Sequence, residues 1–262
     1  MPRIATPLGA IGYAEEGSGG TPLIFLHGVG SDKSVWRRQL QHFGPMRRTI
    51  AFDYPGYADS DPAPPGTTRD DYAIAVLAGM DDLGIARAHL CGLSLGGVIA
   101  IAIHAAAPDR CASLVIADSF SAHPGGPAIY ERSLASSSDM RALAEGRADV
   151  LLAQPADPAI RKEVVETMAR IDPAALSIGA EAVWLANQRA RVSAIRVPTL
   201  VVVGVADEVT PPALSEELAG AIPGAELQVI AGAGHLTNIE KPEAFNQLVE
   251  DFVRRVETRP AN

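Results

Sequence analysis

The feature that most narrows what this chain can fold into is a rhythm of short strand-like runs, the first of them continuously apolar, separated by stretches with helical spacing. The runs are Pro22-Leu23-Ile24-Phe25-Leu26, Arg48-Thr49-Ile50-Ala51-Phe52, residues 87 to 91, Ala112-Ser113-Leu114-Val115-Ile116-Ala117 and Pro198-Thr199-Leu200-Val201-Val202-Val203-Gly204. A strand with one wet face alternates apolar and polar residues. One that is apolar throughout is covered on both faces, as in a parallel sheet between layers of helix. Between the runs, a helical stretch contains Trp36, and residues 68 to 83 carry Tyr72, Val76, Leu77, Met80 and Leu83 at helical spacing, with Gly84 where a C-cap belongs. The stretch Val98 to Ala107 reads as a buried helix ended by Pro108. Residues 8 to 15 and Glu226-Leu227-Gln228-Val229-Ile230 add strands, and Pro242 to Val256 closes the chain as an amphipathic helix. The pattern specifies an α/β fold, a mostly parallel sheet with helices on both faces.

The rhythm breaks once. From Phe120 to about Arg196 there is no strand pattern, only Gly-Pro punctuation near 124 to 127 and helical segments that include Ile160 to Ile171 and Leu176 to Arg191. We therefore expect residues 1–119 and 197–262 to form the core and 120–196 a helical lid inserted over the C-terminal edge of the sheet. At 262 residues, 47% hydrophobic and 20% charged, the chain suits one such domain. A net charge of −9 argues against a nucleic-acid or anionic-membrane surface, both of which need clustered Lys and Arg. The start, Met1-Pro2-Arg3-Ile4-Ala5-Thr6-Pro7, lacks the apolar core of a signal peptide, and no window reaches the roughly 18 apolar residues of a membrane span. A cytoplasmic location is the expectation. Cys91 and Cys111 make no disulfide framework and read as small buried hydrophobes.

The chemistry centres on Leu90-Cys91-Gly92-Leu93-Ser94-Leu95-Gly96-Gly97, which lies between an apolar run and the Val98 helix. Gly92-x-Ser94-x-Gly96 is the spacing that lets a serine occupy a sharp strand-to-helix turn with its hydroxyl above the sheet, because only small residues permit the close approach. A serine hydroxyl needs a base, and the base an orienting acid. His235 follows the last predicted strand within Gly232-Ala233-Gly234-His235, where open parallel sheets gather functional groups. Of the other histidines, His104 lies within a helix, His42 and His89 precede structural elements, and His123, at the entrance of the lid, reads as a surface residue before a Pro-Gly-Gly turn. For the acid, Asp207 follows the Val201–Gly204 strand and completes the chain order Ser94, Asp207, His235, while Asp118, at the end of the preceding strand, is the competitor. Asp53 and Asp59 read as turn caps. A developing oxyanion would be held by the backbone N–H groups of Leu95, after the serine, and Val29, in the early loop shaped by His27 and Gly28.

His27-Gly28-x-Gly30, Gly92-Leu93-Ser94-Leu95-Gly96-Gly97, the Asp207 loop and the tail from Gly234-His235 through Ile239-Glu240-Lys241-Pro242-Glu243-Ala244-Phe245 together resemble the α/β-hydrolase superfamily over almost the whole chain outside the lid. Within it, the elbow and tail look most like 3-oxoadipate enol-lactonases. That resemblance implies Ser94, Asp207 and His235 as a catalytic triad acting on a small ester or lactone, with neither cofactor nor metal. His27, Trp184 and Arg189 are candidates for the substrate pocket. Relatives that cleave carbon–carbon bonds in ring-fission products use the same triad with an Arg and a Trp from or near the lid, for which Trp184, Arg189 and Arg191 are placed. A cofactor-free lyase or oxygenase and a non-catalytic ligand receptor are further alternatives on this scaffold. No expectation attaches to the oligomeric state.

Overall fold

The computed structural model describes residues 2–135 and 139–258; Met1, 136–138 of the expected lid and 259–262 of the expected core lie outside the described residues. An eight-stranded sheet runs β1 (Arg3–Thr6), β2 (Gly9–Glu16), β4 (Thr49–Phe52), β3 (Leu23–Leu26), β5 (Ala88–Leu93), β6 (Cys111–Ala117), β7 (Thr199–Gly204) and β8 (Glu226–Ile230). The β1–β2 and β2–β4 pairs are antiparallel and the others parallel. Every residue of β3 through β7 is buried. Since successive side chains point to opposite faces, burial at every position means both faces are covered. β8, at the edge, exposes Gln228 and Val229.

The helices of the core are α1 (Arg37–Phe43), α2 (Arg69–Asp82) and α3 (Leu95–Ala106), and α9 (Pro212–Ala221), α10 (Thr237–Glu240) and α11 (Pro242–Thr258) towards the C-terminus. Thr68 caps α2 in a reciprocal box with Asp71, and Gly84, at φ +66°, follows its end, as the sequence suggests. α3 starts at Leu95, three residues before the expected Val98, because the turn at Ser94 leads straight into it. Strand β1 is not legible: four residues with one buried side chain, Ile4, are fixed by pairing with β2.

Between β6 and β7 the described chain forms α4 (Gly126–Ala135), α5 (Met140–Leu151), α6 (Pro158–Met168), α7 (Pro173–Trp184) and α8 (Arg189–Val192). Asp157-Pro158 and Asp172-Pro173 begin α6 and α7 in the same way. The carboxylate accepts two backbone N–H groups and the proline sits in the first turn, where its missing N–H has no consequence. The single helix expected over Leu176 to Arg191 is broken. Gln188 donates its backbone N–H to Ser121 O (2.8 Å) and its side-chain amide to Val98 O (2.9 Å), pulling 185–188 out of helical geometry to dock on the core. No described helix is long and apolar enough to cross a membrane. Both cysteines are free and buried.

Candidate active site

The C-terminal ends of the parallel strands converge on one edge of the sheet. β5 delivers Ser94 there, with φ 54° and ψ −113°, a region in which a non-glycine residue persists only when its surroundings enforce it. They do so through bonds from Ser94 N to Ala117 O (2.9 Å) and from Ser119 Oγ to Ser94 O (2.8 Å). The neighbouring glycines are steric necessities. A Cβ on Gly92 would lie 2.2 Å from Gly96 O, and one on Gly96 2.0 Å from Leu26 O. Both obstacles are backbone, so Gly96→Ala should cost more than the about 1–3 kcal/mol of ordinary overpacking. Gly146→Ala, in α5 with open space around it, should gain about 0.5–1 kcal/mol from helix propensity. Urea midpoints of the two variants moving in opposite directions would bear this out, and a Gly96→Ala midpoint equal to wild type would refute the close packing.

His235 stands in the loop after β8, buried, with Nδ1 2.8 Å from Asp207 Oδ2. Thr210 Oγ1 donates to the same oxygen (2.6 Å), and Asp207 Oδ1 accepts the N–H groups of Val209 and Thr210, both at 2.8 Å. Burial alone would raise the Asp207 carboxyl, but the charge and hydrogen bond of His235 and the bonds from Thr210 outweigh it and hold it below the usual carboxylate value. A carboxylate only accepts, so Nδ1 carries the proton towards it and the neutral ring keeps Nε2 free as a base. The loop is fixed from behind. His235 N donates to Leu151 O (2.7 Å), and the Glu240 carboxylate accepts from Gly234 N (2.9 Å), Leu236 N (3.2 Å) and Ala153 N (2.8 Å), binding the histidine loop to the segment after α5.

Asp118, the competing acid, makes no hydrogen bond to His235 among the described residues. It is fully buried at φ 47°, accepting from Thr237 Oγ1 (2.5 Å) and Gly204 N (3.0 Å). Burial, reinforced by the nearby Asp207 charge, pushes its carboxyl well above the usual range. Asp53 and Asp59 are more than turn caps. They hold the Lys33 ammonium, at 2.5 Å each, in a cluster outside the cavity walls, where burial raises Asp53 to about 6 against the pull of Lys33.

Ser94 and His235 both line a cavity whose walls come from the loop after β3 (Gly28, Val29), from α5 and α6, and from Trp184. Val29 N finds no acceptor among the described residues. The N–H of Leu95, as the first residue of α3, has no intrahelical acceptor either. Trp184 stacks on Phe120 (5.9 Å between centroids) and meets His123 edge-on (5.5 Å). His123 is thereby half-buried, with Nε2 3.2 Å from Val209 O, rather than a surface residue. Two further expectations need correction. His27 lies behind the wall, fully buried between Tyr54 and Tyr57, and burial lowers its imidazole to about 4; a neutral ring packed on aromatics shapes the loop and meets no ligand. Arg189 is outside the cavity, exposed and paired with Glu217 at 3.1 Å, because the break at 185–188 turns α8 towards the surface. The sequence reading passed over Arg147, which does line the cavity. The signal was available: Ala144, Ala148 and Leu151 recur at helical spacing as the buried stripe of α5, and Arg147 stands half-buried beside it. Among the described residues no cluster of His, Cys, Asp and Glu is placed to hold a metal ion.

Residues 23–248 match the model of the alpha/beta hydrolase family. The dihydrolipoyllysine-residue acetyltransferase component of the acetoin cleaving system of Pseudomonas putida is 31% identical over 91% of this chain, and the aligned part spans only 65% of that relative's length. The 3-oxoadipate enol-lactonase 2 of Acinetobacter baylyi is 29% identical over 94% of both chains. Among solved structures, the enol-lactonase of Burkholderia xenovorans superposes with a TM-score of 0.90 at 29% identity, covering 97% of this chain and 100% of the other.

Proposed function

We propose a mechanism from the premise that the chain belongs to the alpha/beta hydrolase family: it is a serine hydrolase that opens a small ester or lactone through an acyl-enzyme. In this reading Ser94 Oγ attacks the carbonyl carbon while His235 Nε2 takes its proton. Asp207 orients the imidazole and stabilises its charged form, and the N–H groups of Val29 and Leu95 receive the oxyanion. His235 returns the proton to the leaving alkoxide, then activates the water that frees the acid and restores Ser94. The observation that carries the proposal is that a serine held in a strained turn and a histidine backed by a saturated carboxylate line the same cavity. The lactone preference draws on the enol-lactonases it resembles. Residues 120–196 would act as the lid over the core of 1–119 and 197–262, and the reaction is set in the cytoplasm, where buried unpaired thiols stay reduced.

The carbon–carbon hydrolase alternative asked for a cation from Arg189 or Arg191. Both are engaged at the surface, Arg189 with Glu217 and Arg191 with Asp70 at 2.6 and 2.9 Å. The test is a panel of p-nitrophenyl butyrate, an enol-lactone and a ring-fission diketone. A p-nitrophenol burst of about one equivalent followed by steady turnover, with the enol-lactone also opened, is expected. Turnover of the diketone alone would overturn the ester reading in favour of carbon–carbon cleavage, and tight binding with a single turnover would make the protein a receptor.

A further inference from the structure

We infer that the substrate carries a carboxylate at the end remote from its reacting carbonyl, and that Arg147 receives it; the inference rests on the hydrolase reading above and names its substrate class. Arg147 lines the cavity that holds Ser94 and His235, and makes no hydrogen bond or ion pair among the described residues. Its neighbours differ. Arg141 is bidentate to Glu166 and Arg161 to Asp149, so the acids on the facing sides of α5 and α6 are engaged at the surface. The acid in the cavity wall, Glu163, is held by both nitrogens of Arg38 at 2.8 and 2.9 Å, with Arg37 at 3.6 Å, and leaves nothing for Arg147.

A guanidinium stays charged in a protein, and withdrawing it from water without a partner is costly. Here the cost is compounded, because burial and the adjacent Arg132 charge both push the Arg147 guanidinium below its ordinary value. In a chain of net charge −9 that pairs its other cavity-wall charge, an uncompensated cation is a vacancy for an anion, and the planar fork of arginine fits a carboxylate. The placement also sets the direction. Arg147 and Leu151 are one turn apart on the same face of α5, and Leu151 O accepts from His235 N at 2.7 Å. A ligand held at Arg147 would therefore extend from the helix face that supports the histidine loop, its other end available to Ser94. A half-ester of a dicarboxylic acid, or a lactone with a carboxylate arm, meets both conditions.

The test compares p-nitrophenyl monoesters of succinic, glutaric and adipic acid with the uncharged p-nitrophenyl butyrate, pentanoate and hexanoate. In wild type the charged-to-neutral ratio of kcat/KM should peak at one chain length and fall as salt is raised. In Arg147→Gln that ratio should drop about 30-fold or more, mainly through KM, with Arg147→Lys recovering part of it. A ratio within about twofold of wild type in Arg147→Gln, or charged and neutral esters declining together, would overturn the assignment. A second arm needs no turnover. Glutarate titrated calorimetrically into Ser94→Ala should bind, and into Ser94→Ala/Arg147→Gln should not; equal heats in the two would also overturn it. Should wild type hydrolyse none of the esters, the hydrolase reading fails while the glutarate arm still decides the fate of Arg147.

Discussion

Ser94→Ala is expected to lower kcat/KM for a small ester by about 10⁴-fold or more while the fold and cavity persist, since an alanine leaves no nucleophile and the oxyanion donors alone give only residual catalysis. The fold should persist because the backbone bonds that enforce the turn, from Ser94 N to Ala117 O and from Ser119 Oγ to Ser94 O, do not involve the removed hydroxyl. Alanine is no more comfortable at φ 54° than serine, so the strain stays too. Ser94→Gly separates strain from chemistry. It relieves about 1–3 kcal/mol of backbone strain and gives back about 0.5–1 kcal/mol through the freedom of an unfolded glycine, so it should be at least as stable as Ser94→Ala and equally inactive. Turnover and urea midpoints of both variants are the measurements. A Ser94→Ala protein that kept more than about one per cent of wild-type kcat/KM would remove the serine from the mechanism.

The strands that carry this site are legible in the chain because runs such as Leu23–Leu26 and Leu200–Val203 are continuously apolar, as a strand covered on both faces demands, while β5 and β6 each carry a single polar residue, His89 and Ser113, that stays buried. The elbow is legible for a related reason: Gly92 and Gly96 stand where any Cβ would strike backbone. Less legible is what depends on packing between distant segments. Gln188 breaks an otherwise helical pattern by bonding to Ser121 and Val98, and no local propensity encodes those partners. Arg189 and Arg147 look alike as cations on helices of the insertion, yet one docks on Glu217 in solvent and the other lines the cavity, half-buried. Glu240 was visible in the tail motif, but its work of accepting N–H groups from Gly234, Leu236 and Ala153 requires that the segment after α5 arrive there. Sequence order alone also left two acids in play. Asp118 and Asp207 both follow strands of the same sheet, and burial and hydrogen bonding separate them.

Asp207→Asn should lower kcat/KM by about 10³–10⁴-fold, through the tautomer of His235 rather than loss of substrate binding. Asp207 Oδ1 accepts two backbone N–H groups, from Val209 and Thr210, so the amide oxygen of an asparagine takes that place and its NH₂ faces His235 Nδ1. The ring then accepts at Nδ1 and protonates at Nε2, the atom that has to receive the serine proton. Asp118→Asn should leave kcat/KM within about threefold of wild type, because Asp118 makes no hydrogen bond to His235 and an amide is nearly isosteric with its carboxyl, accepting from Gly204 N and donating to Thr237 Oγ1. Stability should move in opposite senses. The Asp207 carboxyl is depressed in the folded state, so its contribution is present above the unfolded value near 3.9 and fades as pH falls through the folded one. The stability lost in Asp207→Asn should accordingly be largest at neutral pH and shrink in acid. Asp118 is raised, the folded state holds the extra proton, and stability falls as pH climbs above the unfolded value. Asp118→Asn abolishes that decline, so it should be the more stable protein at neutral pH and converge with wild type in acid. Urea midpoints at a series of pH values alongside kcat/KM test both. If Asp118 serves as the acid, the activities invert, with Asp118→Asn inactive and Asp207→Asn nearly unimpaired, and the assignment of Asp207 falls.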